Sequence, residues 1–319
     1  MNPCAPSVTT ANLKDEAIPI QKPDIGNNIV NQTPHIKVGV IGGSGVYGMD
    51  TISNVRDVKL TTSFGDPSDA YIVGELGGFE VAFLARHGRG HHLLPSDLNF
   101  RANVMGFKML GITHLISVTA VGSLREHLKP KDIVIPDQLV DRTFSRESTF
   151  FGNGIAAHVP FSDPFCSELS DLLFDTATAC DATVHKGGTL VTMEGPAFST
   201  RAESHLYRSW GMDIIGMTAV QEAKLCREAE ICYGSLAMVT DYDCWHDTEE
   251  EVSVEAVIAV LKQNVSTAQA IIESAVPRIA GTRRSCACGD SLNNAIMTRP
   301  ESISTEVRER LAPIIGRYI

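Results

Sequence analysis

Apolar and polar residues alternate along the chain in blocks that are typical of a layered α/β protein. Continuous apolar runs at 36–41, 114–119 and 231–240 predict buried strands, whereas 164–179 and 219–229 carry their apolar residues on one helical face. Strands that alternate with amphipathic helices are typical of a sheet covered by helices. We therefore expect a single α/β domain.

Local sequence signals set the bounds of further elements. Two strand-like segments, 70–75 and 80–85, flank Gly77-Gly78 and predict an antiparallel hairpin. Ser96 is in position to cap a helix that Gly111 ends. The other predicted elements are strands over 188–193 and 213–217 and helices over 200–210, 251–275 and 301–315.

The two ends of the chain differ from its centre. Residues 1–34 are polar, contain Pro and Asn and lack periodicity, so they cannot bury enough apolar surface to offset the entropy of ordering them. We expect a disordered extension at 1–34, one domain over 35–280 and an appended C-terminal arm over 281–319.

Composition limits the partners of the protein. Lys plus Arg number 27 against 38 Asp plus Glu, which gives a formal net charge of −11 over 319 residues. This balance disfavours binding to nucleic acid or to an anionic membrane, so an anionic ligand needs a locally basic pocket. No apolar run approaches the ~18 residues of a membrane span, and the N-terminus lacks the features of a signal peptide. We expect a cytoplasmic protein.

The eight cysteines are mostly single and lie in apolar stretches. This distribution is typical of reduced, buried thiols rather than of a disulfide framework. Cys286 and Cys288 are the exception, and we expect them to form an exposed, reduced pair in a linker.

A glycine-rich turn follows the first predicted strand, with the letters GSGVYG from Gly43 to Gly48. The spacing matches the GxGxxG pattern of dinucleotide sites. Such a site needs a helix directly after the third glycine, but the residues that follow are weak helix formers. The turn is better suited to a phosphate-sized anion, held by backbone N–H groups and the Ser44 hydroxyl. A plain strand-ending turn has the same pattern.

The densest positive stretch of the chain, RHGRGHH at 86–92, comes directly after a predicted strand. Arg86 can form a bidentate contact with phosphate, and His87 can donate a further hydrogen bond. A solvated loop is one alternative. A metal site of His87, His91 and His92 is another, but three histidines without a nearby carboxylate or thiolate are weak evidence for it.

Polar residues also end two other predicted strands. Thr119 ends one strand, and ligand crevices of open α/β sheets lie beyond the carboxyl ends of strands. Asp241 and Asp243 end another and point to the same side of it. Two close carboxylates tend to raise at least one pKa, which suits proton donation to a leaving group. Tyr242 and Trp245 can wall a flat ring, although two solvated turn aspartates remain an alternative.

Together these segments resemble the purine nucleoside phosphorylase family, most closely the branch that acts on 5′-methylthioadenosine. The resemblance runs in family order from about residue 37 to residue 279, roughly three quarters of the chain. The segments that carry it are GGSG at 42–45, FGDPSD at 64–69, ARHGR at 85–89, TAVGSL at 119–124, MEGP at 193–196, MT at 217–218 and TDYDCW at 240–245.

The resemblance implies a mixed central sheet flanked by helices, a homotrimer and a set of site residues. Inorganic phosphate is implied as a co-substrate, and no metal or organic cofactor is expected. The residues implied to bind phosphate are Ser44, Arg86, His87, Thr119, Ala120 and Thr218; those implied to contact the nucleoside are Met217, Asp241, Tyr242, Asp243, Ser199, His91, Val254, Val257, Ile258 and, from a neighbouring subunit, His158.

The function implied is phosphorolysis of 5′-methylthioadenosine to adenine and 5-methylthioribose 1-phosphate, a step of purine and methionine salvage. Asp241 and Asp243 are the implied catalytic residues, with Asp241 assisting the departure of adenine. Three alternatives remain: a broader purine nucleoside phosphorylase, a hydrolase that uses water, and a nucleoside-binding or sensor protein with a decayed site. A carboxyl at 241 rather than an amide disfavours 6-oxopurines, and a phosphate cluster has no use in a hydrolase.

Overall fold

The computed structural model of the chain describes residues 37–43, 45–46, 48–246 and 254–319, with side chains at 254–257, 259 and 261–263 outside the description. Its strands are β1 (Val38–Gly42), β2 (Ser53–Val58), β3 (Tyr71–Leu76), β4 (Phe79–Ala85), β5 (His114–Ser123), β6 (Ile133–Ile135), β7 (Gln138–Arg142), β8 (Val184–Lys186), β9 (Thr189–Met193), β10 (Ile214–Gly216) and β11 (Cys232–Asp241). Its helices are α1 (Phe100–Met109), α2 (Ser167–Ala179), α3 (Arg201–Ser209), α4 (Ala219–Glu228), α5 (Val254–Gly281) and α6 (Thr305–Ile315). The extension expected at 1–34 lies outside the described residues.

The strands form one mixed sheet, which confirms the predicted fold class. Its main path runs β2-β3-β4-β1-β5-β10-β9-β7, and β11 pairs with β5 and β6. Strand β5 is central, because it pairs in parallel with β1 and β11 and antiparallel with β10. Five of the six helices given above form two packed groups, α1 with α4 and α6, and α2 with α5, whereas α3 packs on the turn at Asp243–Trp245. No helix among the described residues has the length and apolar character needed to cross a bilayer.

The apolar pattern identified the longer buried strands, but it missed the short buried β6 and the exposed β2. All but the last residue of β11 are buried, whereas β2 is exposed along nearly its whole length. A helix does follow the loop near residue 96, but its N-cap is Asn99, whose side chain accepts a hydrogen bond from the Ala102 N–H. The prediction that Ser96 caps this helix is therefore wrong, and the Ser96 hydroxyl instead donates to Glu194.

The C-terminal segment is built into the domain. Helix α6 packs on α1, and Leu311 and Ile314 on α6 are buried in the same apolar cluster as Phe107. Ala157 also bridges to Ile296 in this segment. The expectation of an appended arm at 281–319 is corrected, because the weak helical pattern there supplies buried apolar residues to the core.

Candidate active site

The register of the sheet brings the predicted polar strand ends together. Strands β1, β4, β5 and β11 run in the same direction, so their carboxyl ends share one edge. Gly122 on β5 pairs with Ile215 on one side and with Asp241 on the other. The pairs between β10 and β5 end at Ile215, and Met217 and Thr218 follow directly after β10. One crevice at this edge therefore gathers residues from four strands.

Arg86 lies at the end of β4 and is 3% exposed. Its Nε donates to Oε1 of Glu222 at 2.5 Å, and its Nη2 contacts Glu222 Oε2 at 3.2 Å and Ser117 Oγ at 2.7 Å. Burial opposes the charge, but the Glu222 carboxylate outweighs it and raises the pKa of Arg86. The bidentate contact that we expected with phosphate is made to Glu222. One N–H of Arg86 Nη1 donates to the Val118 carbonyl oxygen at 3.1 Å. The second N–H of Nη1 can donate to phosphate.

His87 is neutral at pH 7. Burial and then the charge of Arg86 lower the pKa of His87 to about 4. Its Nδ1 lies 2.8 Å from the Leu93 carbonyl oxygen, which can only accept, so Nδ1 carries the hydrogen and Nε2 presents a lone pair. The expected donation from His87 to phosphate is corrected for the free chain, because Nε2 is an acceptor there.

His91 stacks on His87 with ring centroids 4.4 Å apart and is itself exposed. His92 Nδ1 lies 3.4 Å from the Arg89 carbonyl oxygen. Among the described residues, the single group with metal-ligand proximity consists of cysteines and includes none of these histidines. The alternative of a metal site at 87, 91 and 92 is therefore not supported.

Two threonine hydroxyls in the crevice lack strong hydrogen-bond partners among the described residues. Thr119 is 8% exposed, and its Oγ1 makes one long contact, 3.4 Å to the Ala120 carbonyl oxygen. Thr218 is the N-cap residue of α4, is 4% exposed and makes no side-chain capping bond. Because a helix N-terminus favours an anion, these hydroxyls and the first amides of α4 suit a phosphate group. Ser44 lies outside the described residues.

Asp241 and Asp243 lie where β11 ends in an irregular register. Asp241 Oδ2 accepts from the Thr240 hydroxyl at 2.7 Å, and its Oδ1 accepts from the Asp243 N–H at 2.8 Å. Burial, together with the charge of Asp243, raises the pKa of Asp241. Burial also raises the pKa of Asp243, whose Oδ2 has no hydrogen-bond partner among the described residues.

Backbone geometry makes room for the two carboxylates. A Cβ at Gly122 would lie 3.0 Å from Asp241 Oδ1 and 3.3 Å from the Cβ of Asp243. Asp243 itself has a φ of +51°, a conformation that non-glycine residues adopt rarely. Strain of this kind at a buried carboxylate is typical of functional sites.

Aromatic and small residues surround the aspartates. Tyr242 stacks on His246 with centroids 4.7 Å apart, and Trp245 Nε1 donates to the Ser123 carbonyl oxygen at 2.7 Å. The Cys244 thiol donates to the Ser199 carbonyl oxygen at 3.2 Å, which ties Ser199 to this loop. Several of the predicted base-contacting residues thus lie in one neighbourhood.

Sequence analysis assigned no role to a buried ionic cluster around Glu194 and Arg146. Glu194 accepts from Ser96 Oγ at 2.5 Å and Ser145 Oγ at 2.7 Å. Although burial opposes ionisation, these bonds and Arg146 lower the pKa of Glu194 to about 2. Arg146 also donates to the carbonyl oxygens of Glu194 and Met217. The cluster fixes the backbone at Met217, the predicted ribose contact. The charged residue Glu194 within MEGP was the sequence signal that could have revealed it.

The predicted 5′ contacts at the start of α5 and at His158 are described only in part. Val254 and Val257 begin α5, but their side chains lie outside the description; Ile258 is 44% exposed. His158 is exposed, and its N–H donates to the Ala295 carbonyl oxygen at 2.9 Å. No contact joins His158 to the other candidate residues within the described part of the chain.

Comparison with known proteins identifies the family. The family model described as the phosphorylase superfamily matches residues 37–277. The S-methyl-5′-thioadenosine phosphorylase of Geobacter sulfurreducens is 56% identical over 283 residues, which are 88% of this chain and 99% of the relative. The protein of the same name from Chloroflexus aurantiacus is 57% identical over 282 residues, 88% and 98% of the two chains.

Solved structures agree with this assignment. A methylthioadenosine phosphorylase from an Antarctic soil metagenomic library superposes with a TM-score of 0.85 at 48% identity, covering 88% of this chain and 99% of that one. The methylthioadenosine phosphorylase from Schistosoma mansoni in complex with adenine gives a TM-score of 0.77 at 36% identity, covering 82% and 99%. The chain therefore belongs to the phosphorylase superfamily, within its S-methyl-5′-thioadenosine phosphorylase branch.

Proposed function

We propose that this enzyme cleaves 5′-methylthioadenosine with inorganic phosphate. A phosphate oxygen forms the new bond to C1′ while the bond from C1′ to purine N9 breaks and its electron pair leaves with adenine. The proton that phosphate brings as its monohydrogen dianion ends on the purine, so the products are adenine and 5-methylthioribose 1-phosphate. The crevice must therefore hold an anion on one side of the sugar and supply a proton on the other.

The raised pKa of buried Asp241 is the observation that carries the proposal. A carboxyl group that stays protonated above the usual aspartate range can donate to N7 of the departing base. As a carboxylate it can accept from the exocyclic amine of adenine. Asp243, with one carboxylate oxygen unpartnered, is the second proposed base contact, next to Ser199 and Tyr242.

The phosphate side is proposed to use Thr119, Thr218, the Ala120 backbone, one N–H of Arg86 and Ser44. We propose that His87 accepts a hydrogen bond from phosphate, whereas its place in the basic stretch at 86–92 suggested that it donates one. Its neutral Nε2 accepts the hydrogen of the incoming monohydrogen phosphate, which frees the other oxygens for attack and holds the group in place. Binding of the dianion also raises the pKa of His87, so His87 can take up that proton. After the proton of Asp241 has left with adenine, His87 releases its proton to solvent and Asp241 takes one up, so the net transfer is from phosphate to the purine.

The 5′ group and the quaternary structure complete the proposal. A methylthio group is apolar, and the exposed Ile258 near the start of α5 is a suitable contact, together with Val254 and Val257. We further propose a homotrimer in which His158 of one subunit completes the 5′ pocket of the next. The exposure of His158 in the single chain supports a role in contacts between chains.

The test is release of adenine from 5′-methylthioadenosine, and of the base from adenosine and inosine, with and without phosphate. We expect adenine and a phosphorylated sugar only when phosphate is present. Release at equal rates without phosphate would indicate a hydrolase. Faster turnover of inosine than of methylthioadenosine would indicate a 6-oxopurine phosphorylase, and binding without turnover would indicate a sensor.

A further inference from the structure

Four cysteines from three distant segments of the chain converge away from the crevice. The sulfur atoms of Cys166, Cys232, Cys286 and Cys288 all lie within 4.8 Å of one another. Three of these residues are buried, and Cys286 is half-buried. The expectation of an exposed pair at 286 and 288 is corrected, because the segment after α5 folds back onto the start of β11. We call these residues the four-cysteine cluster.

The spacing of the sulfurs fits a tetrahedral metal site. With metal–sulfur bonds of about 2.3 Å, the sulfurs of a tetrahedral zinc thiolate site lie about 3.8 Å apart. The Sγ atoms of Cys232 and Cys286 are 3.3 Å apart, and the 4.8 Å limit holds for every other pair. Bringing four thiols this close without a common partner gains only weak S–H hydrogen bonds.

The elements around the cluster suit thiolates. Cys166 occupies the N-cap position of α2, where Ser, Thr, Asp or Asn is usual, yet its side chain makes no capping bond. The N-terminus of this 13-residue helix favours a negative charge on that sulfur. The positive charge of Arg227 acts on Cys288, and Arg284 lies against Gly289, so cations stand beside the cluster.

We propose that the four-cysteine cluster binds one zinc ion that holds the fold together and takes no part in the reaction. Zinc with four thiolates is a closed structural site with no position left for water or substrate. Cys232 begins β11 and Asp241 ends it, so the site and the catalytic carboxylate lie ~30 Å apart along the strand. The ion would fasten the segment at 286–288 to β11 and to the start of α2. The 31 residues that follow Cys288 could then dock through α6.

The first experiment measures metal content. The full-length protein, purified under reducing conditions and dialysed against a weak chelator, should retain about one zinc per chain. Cys286→Ser and Cys288→Ser should lose the metal and melt at a lower temperature. Cys180→Ser is the matched control: this half-buried cysteine lies outside the cluster and should leave zinc content unchanged.

A second measurement uses the unmodified protein, so that it does not depend on whether the variants fold. Exchange of the bound metal for Co²⁺ should give the intense visible bands of a tetrahedral cobalt thiolate. Protein that contains no metal and whose four cluster cysteines all titrate as free thiols would overturn the proposal. An intact mass lower by two hydrogens for each disulfide within the cluster would also overturn it, and so would zinc that stays bound after Cys286→Ser and Cys288→Ser.

Discussion

Two pairs of buried ionisable side chains lie along the same crevice, and they differ in the charges and hydrogen-bond donors that surround them. Arg86 and Glu222 compensate each other at 2.5 Å, and Ser117 and Tyr233 donate two more hydrogen bonds to the carboxylate. Asp241 is held by neutral donors, the Thr240 hydroxyl and a backbone N–H, and its charged neighbour is a second aspartate. In the first pair opposite charges stabilise each other, whereas in the second pair burial and a like charge raise the pKa of Asp241.

This contrast separates a structural task from a chemical one. In a buried ion pair each charge is largely neutralised by its partner, so the pair attracts a charged ligand only weakly. Removing one partner leaves the other as an uncompensated buried charge. A buried carboxylate without a cation holds its proton more tightly and can give it to a leaving group. Arg86 in the basic sequence stretch thus supports the crevice in the free chain, and the aspartates at the end of β11 are the residues to which we assign the chemistry.

The largest expected effect comes from removing the proposed acid. Asp241→Asn should lower kcat/KM for 5′-methylthioadenosine by about two to four powers of ten, the range for a lost proton donor. Steady-state adenine release measures it. Turnover of inosine should fall less, because an amide can donate to O6 of a 6-oxopurine. Near-normal activity of the variant on methylthioadenosine would remove Asp241 from the leaving-group role.

The next effect tests the compensated pair. Glu222→Gln leaves the buried guanidinium of Arg86 without its counter-charge, so the free energy of unfolding should fall by about 3–5 kcal/mol. Urea denaturation at fixed protein concentration measures it. Glu80→Gln is the control, because Glu80 pairs with the 49%-exposed Arg56 at the surface and should change stability by less than about 1 kcal/mol. Equal losses for the two variants would contradict the contrast.

The same two pairs show which parts of the site could be predicted from the sequence and which could not. The ends of β1, β4 and β11 were predictable to within one residue because buried strands form continuous apolar runs with polar residues after them. Strand β5 continues four residues beyond its predicted end at Thr119. The partner of Arg86 was not, because Glu222 lies on a helix 136 residues later and only the packing of α4 brings it near. The conversion of His87 into an acceptor also depends on a tertiary contact, the Leu93 carbonyl at 2.8 Å.

Other omissions have similar causes. Strand β2 is exposed on an edge and carries no apolar alternation, so the sequence offers no signal for it. Cys166 and Cys232 resemble ordinary core thiols in the sequence, and Cys286 and Cys288 resemble an exposed pair, until the fold brings the four together. In contrast, the closeness of Asp241 and Asp243 in the proposed base site could be predicted. The two residues are near neighbours in sequence, and the end of a single strand is enough to bring them together.

A third prediction concerns the pH dependence within the aspartate pair. The acid form of Asp241 is the active one, so kcat/KM should fall as pH rises through its pKa. The charge of Asp243 contributes to raising that pKa, so Asp243→Asn should move the alkaline limb of the pH profile to lower pH. A profile of kcat/KM against pH for both forms measures the shift. Movement of the limb to higher pH would contradict the proposed coupling.

The smallest expected effect lies outside both pairs, at the 5′ end of the nucleoside. Neither charged pair can distinguish a methylthio group from a hydroxyl, so any preference must come from apolar contact. We expect kcat/KM for methylthioadenosine to exceed that for adenosine by roughly tenfold, which is what burial of one small apolar group can supply. Ile258→Asp should erase this margin and leave the KM for phosphate unchanged. Val55→Asp on β2 is the control, since Val55 is 58% exposed and lies on the edge strand. Equal kcat/KM for the two nucleosides in the unmodified enzyme would show that the start of α5 does not select the 5′ group.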